Sequence, residues 1–82
     1  MNAFEAKRVA DEANRTNSDD IIQAMAADIS SIAKDGRYLV EYSYSTPTNF
    51  NYKEVRKFFE SQGYKVITEV APGTITILIR WD

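Results

Sequence analysis

The chain contains no cysteine and no histidine, and its 82 residues include only three glycines and two prolines. The missing cysteine excludes disulfides, thiolate metal sites and thiol nucleophiles. The missing histidine removes the commonest general base and the commonest neutral metal ligand, and with it any Ser-His-Asp triad. No stretch approaches the ~18 to 20 apolar residues of a membrane span. The opening MNAFEAKRVADEANR is charged throughout, so no secretory leader is expected there. The glycines stand alone at 36, 63 and 73, so no phosphate-cradling glycine loop exists, and no cofactor or metal is expected.

What is present suits one small α+β domain. Hydrophobic residues make up 44% of the chain, but nine are alanines, which bury little surface. A chain this short hides only about 60 to 65% of its unfolded surface. Association is therefore expected to supplement a thin core.

Composition changes sharply at Gly36. Residues 1–35 hold four basic and seven acidic residues, a single aromatic (Phe4), and no proline or glycine. They read as a helical segment and a candidate oligomerisation element. Ala3, Ala6, Ala10 and Ala13 recur at 3-4-3 spacing, as do Ile22, Met25, Ile29 and Ile32, and both sets read as subunit-interface stripes. Between them lies RTNSDD, poor helix material in which Asn17 or Ser18 could cap a new helix. The segment is thus either two helices, near 3–15 and 19–34, or one long helix, continuous or gently broken, with the second form favoured. Lys34 suits a last turn, and Gly36 supplies the stop.

Residues 36–82 read as a β-α-β-β domain. RYLVEYSY (37–44) alternates, with Tyr38, Val40, Tyr42 and Tyr44 on one face. Asn51 and Glu54 have capping-box spacing, and Phe50 with Val55 forms a hydrophobic staple, so a helix starts at residue 52. Gly63 ends it. YKVITEV (64–70) and ITILIRW (75–81) are strands joined by the turn APGT. A right-handed crossover through the second helix, with the most apolar strand in the centre, predicts a three-stranded sheet of order 1-3-2. The 52–62 helix is expected to cover one face, leaving Leu39, Ile67 and Leu78 on the other.

A helix over 3–35 would be about 50 Å long, against ~23 Å for a seven-residue strand. It must fold back at RTNSDD or project and meet another chain.

Candidate chemistry is sparse. Asp11–Glu12 and Asp19–Asp20 are adjacent pairs, which diverge by about 100° on a helix and cannot converge as acid and base. Lys53, Arg56 and Lys57 lie within one helical turn, with Lys65 and Arg80 expected nearby. Ion pairs on a solvated face explain them better than phosphate contacts, and with a formal charge of −2 nucleic acid is disfavoured. The tyrosines read first as core or subunit interface, with Tyr38 and Tyr42 against the second helix, and second as a stacking platform.

The pieces AKDGRYLVEY, FFESQGYKVITEV and TITILIRW, across residues 33–82, resemble a loose set of small tailed-phage proteins. These combine an N-terminal helix, a helix closing in LGYKV and a terminal TISW; this chain has RW in place of SW. The resemblance implies a viral accessory or virion protein with no catalytic residues to carry over. The leading expectation is a non-catalytic homo-oligomer of phage type, meeting itself and other virion or host proteins. Two alternatives stand beside it. One is an anti-defence protein holding a nucleotide signal in intersubunit pockets, using Arg37, Tyr42, Tyr44, Lys53, Arg56, Lys57 and Arg80. The other is an inhibitor that docks on a host protein.

Overall fold

A computed structural model describes all of residues 1–82. Helix α1 runs from Ala3 to Lys34, strand β1 from Leu39 to Ser45, helix α2 from Tyr52 to Ser61, β2 from Lys65 to Ala71, and β3 from Thr74 to Arg80. The sheet order is β1-β3-β2 and both pairings are antiparallel, as the sequence predicts.

Both helices end the same way. In α1 the Gly36 amide donates to Ala33 and the Arg37 amide to Ile32; in α2 Gly63 donates to Glu60 and Tyr64 to Phe59. These two-bond caps need a left-handed residue just past the helix, which Gly36 and Gly63 supply at φ +86° and +92°. At the start of α2, the Asn51 side chain accepts from the Lys53 amide at 3.0 Å, and the staple residues Phe50 and Val55 are both buried. No return bond from the Glu54 side chain completes the capping box.

The core lies on one face of the sheet. Ile75, Ile77 and Ile79 of the central strand are fully buried against Val55 and Phe59 of α2, Met25 and Ile29 of α1, and Val66. Both helices therefore cover the same face. The other face, carrying Leu39, Glu41, Ile67, Glu69 and Leu78, is bare.

Helix α1 is continuous through RTNSDD. Neither Asn17 nor Ser18 caps a new helix, because both side chains serve a different purpose. Ser18 is completely buried; its hydroxyl donates to the Asn14 carbonyl at 2.7 Å and accepts from the Asn51 amide at 2.8 Å. Asn17 donates from Nδ2 to the Asn49 carbonyl at 2.7 Å. The polar midpoint of α1 is thus the strap that ties it to the loop entering α2. The Asn51 amide thereby gains a partner from a fully buried hydroxyl.

Met25 and Ile29, expected at a subunit interface, instead belong to the chain's own core, and Ile22 packs at its margin. Ile32 is half-buried. The boundary near Gly36 is one of composition only, since the second half of α1 is integral to the sheet domain.

Replacing Ser18 with alanine removes a fully buried hydroxyl and its bonds to Asn14 and Asn51, which should cost about 1 to 2 kcal/mol. Thr16→Ala, on the exposed side of the same helix, should cost less than about 0.5 kcal/mol. Urea unfolding followed by circular dichroism distinguishes them; equal midpoints would refute the strap.

Candidate interaction surfaces

Every residue from Met1 to Ala13 is exposed. The 32-residue helix is about 48 Å long, close to the molecule's longest dimension of 50 Å, whereas the other two are 25 and 18 Å. The bonds from Ser18 and Asn17 are the last that tie α1 to the body; Arg8, Asp11 and Arg15 border shallow clefts beside Glu54 of α2, and the helix start before them projects. The apolar side chains of these first turns, Phe4 at 76% exposure and Val9 at 52%, meet nothing in this chain.

The alanine stripe is on a different side of α1 from the core. At about 100° per residue, Ala3, Ala6, Ala10 and Ala13 centre about 100° away from the line through Ser18, Met25 and Ile29. The projecting seam is therefore not a prolongation of the buried face. Its surroundings are ordinary solvated helix: Lys7 pairs with Asp11 at 3.1 Å and Arg15 with Glu12 at 3.6 Å.

Within one subunit, the residues expected to line intersubunit ligand pockets do not converge. Arg56 is committed within its own chain, bonding Glu60 at 2.9 Å and the Thr68 hydroxyl at 3.0 Å. Arg80 points to the bare sheet face and grips Asp82 with two bonds, of 2.8 and 3.2 Å. That grip holds the Asp82 carboxyl below the usual carboxylate range. Lys53 and Lys57 are exposed on α2, and Arg37 is exposed past the end of α1. Tyr42 and Tyr44 lie on the helix-covered face, opposite Arg80. These side chains are distributed over three separate surfaces, and no group of three or more acidic side chains is placed to hold a metal ion.

Tyr42 and Tyr44 pack against the core, as the first reading of the tyrosines expects, but Tyr38 does not and Tyr42 has a different partner. Tyr38 precedes β1 and is exposed, so it does not pack on α2. Tyr42 meets α1 instead: its hydroxyl donates to the Asp28 carboxylate at 2.5 Å. Burial pushes the Tyr42 phenol well above its ordinary value, and the bond to Asp28 pushes it further. Tyr44 is raised by burial and packs edge-on against Phe50, with ring centres 5.0 Å apart. Both rings are half-buried and border a shallow apolar cleft with Ile21, Ala24, Met25 and Asp28.

A cleft between the end of α1 and the end of α2 is lined by Ala33, Tyr64, Lys65, Arg80 and Trp81. The Trp81 indole closes its floor, donating to the Arg37 carbonyl at 3.0 Å and packing edge-on against Tyr64. This is a structural clasp joining the chain's last residues to the α1–β1 connection. Sequence reasoning read Trp81 only as a strand residue, because its partner lies 44 positions away.

Comparison with protein-family models, curated proteins and solved structures finds no match to this chain. No helix is long and apolar enough to cross a membrane.

Tyr42→Phe removes the bond to Asp28 and should cost about 1 kcal/mol at neutral pH. The phenol stays protonated in the folded state to higher pH than in the unfolded state. Its contribution to stability is therefore whole below about pH 10, the unfolded value, and is lost as pH climbs from there through the folded value. The difference in unfolding free energy between wild type and Tyr42→Phe should be constant from about pH 7 to 9 and shrink above about pH 10. A difference that stays flat to about pH 11 would contradict it.

Proposed function

We propose that this chain is a non-catalytic, self-assembling protein of the phage type, acting in or on a virion, whose projecting helix packs against the same helix of another copy. The observation that carries this reading is the projection itself. Three turns of helix extend beyond the sheet with Phe4, Val9 and four regularly spaced alanines in solvent. An isolated helix of this length is marginal in water, and here residues 3–13 bury no side chain against the rest of the chain.

The alanine seam suits another copy of the same helix. Alanines at 3-4-3 spacing let two helix axes approach to about 8 Å, the close end of the packing range. The contact is self-complementary, since each copy offers the same stripe. The resemblance of residues 33–82 to small tailed-phage proteins supports the virion setting. The dispersal of Arg37, Tyr42, Lys53, Arg56 and Arg80 gives no support to a nucleotide pocket within one subunit.

The test is native mass at several concentrations for wild type and for the double variant Ala6→Glu, Ala10→Glu. Glutamate is a good helix former, and both sites are exposed, so helicity and melting of the subunit should hold. The wild type should be oligomeric and the variant should fall to a lower mass. Identical masses would sink the reading.

A further inference from the structure

The face of the sheet opposite the helices presents a regular pattern. Paired residues share a face, so the bare side consists of cross-strand rows. One row is Leu39, Arg80 and Lys65; the next is Glu41, Leu78 and Ile67; the third is Ser43, Thr76 and Glu69. The middle row is apolar across β3 and β2, with Ile67 at 47% exposure; Leu39 in the first row is 51% exposed. Along β2 the side chains on this face run Lys65, Ile67, Glu69, so an isoleucine stands midway between a cation and an anion.

That order is self-complementary. A two-fold axis lying across the strands, through the Leu78–Ile67 row, turns one sheet over onto a second copy. It lays β2 on β2 and exchanges the first row with the third. Lys65 then faces Glu69 of the partner subunit, and Glu69 faces the partner's Lys65. Ile67 and Leu78 meet their own counterparts, and Arg80 lies over the partner's Thr76. Each contact occurs twice, as an isologous interface requires. Glu41 is the one charge brought near its own copy, and it opposes the pairing at the sheet's β1 edge. The alternative axis, parallel to the strands, would lay Lys65 over the partner's Leu39 and Glu69 over the partner's Ser43, leaving both charges unpaired, so the Lys65–Glu69 pairs select the first.

We propose that the uncovered sheet face binds a second copy of this chain about that axis, with the two Lys65–Glu69 pairs flanking an Ile67–Leu78 centre. The interface is separate from the projecting helix and does not depend on it. Sheets stacked this way sit about 10 Å apart, within reach of both ion pairs. The face measures about 23 Å by 14 Å, roughly 300 Å² in plan. Specific interfaces commonly bury about 800 Å² per partner. The pairing is thus a weak, concentration-dependent one in which the charges decide orientation more than affinity.

Sedimentation equilibrium of the full-length chain tests this, using the Ala6→Glu, Ala10→Glu background to silence the helix seam. That background should form dimers that dissociate on dilution. Lys65→Glu alone, or Glu69→Lys alone, replaces two attractive pairs with two repulsive ones and should weaken the dimer about 10- to 30-fold. The swap Lys65→Glu with Glu69→Lys should return it to within about 3-fold of the background. A monomeric background overturns the inference while leaving the helix reading standing if the wild type still oligomerises. Single variants that dimerise like the background, or a swap as weak as the singles, overturn it as well. A helix double variant that keeps the wild-type mass sinks the helix reading alone.

Discussion

A seven-residue sheet cannot cover a thirty-two-residue helix, and the rest of the architecture follows from that mismatch. The strands span about 23 Å and α1 about 48 Å. The helix is tied down over its second half, where Met25 and Ile29 sit in the core, and at its midpoint, where Ser18 and Asn17 bond the loop before α2. Beyond the strap there is no more sheet to cover. The direction of the projecting turns is nevertheless fixed, because a continuous helix transmits the orientation set by its anchored half.

Most of the fold was legible because its signals are local. The Phe50–Asn51 helix start, the glycines at 36, 63 and 73, and the alternation of Ile75, Ile77 and Ile79 each act within a few residues, and each appears where its chemistry puts it. What escaped depends on distant partners. Ser18 and Asn17 look like caps in isolation; their bonds reach Asn51 and Asn49, more than thirty residues away. Met25 and Ile29 carry the same heptad-like spacing whether they face a second subunit or their own sheet. Periodicity names a face and is silent about what covers it. Tyr42 and Trp81 were misread for the same reason, since Asp28 and the Arg37 carbonyl are tertiary partners.

The polar midpoint of α1 also explains why two apolar stripes coexist on one helix without merging. An isoleucine at position 18 would extend the core stripe towards the N-terminus and draw the projecting turns into a longer greasy seam. A buried serine ends it. The stripe that continues outward is made of alanines and is rotated by about 100°, so the helix presents one surface to its own sheet and another to its surroundings. The ion pairs Lys7–Asp11 and Arg15–Glu12 keep the intervening faces solvated.

The two proposed contacts, where both form on one subunit, have a geometric consequence. Each isologous contact alone closes at a dimer. Two such contacts with different axes cannot both be satisfied by a pair, so assembly must continue. If the axes intersect at a simple fraction of a half-turn, the product is a closed ring of dihedral symmetry; if they miss one another, it is an open helical array. Here the proposed sheet axis lies across the strands on the bare side of the domain, while the helix seam lies on the far layer and beyond the sheet's end. The two contacts are therefore held apart by the full thickness of the body. The course of α1 past Ser18 would set the angle between them, which would make the strap, about one and a half turns from Ala13, the element that determines the form of any assembly using both.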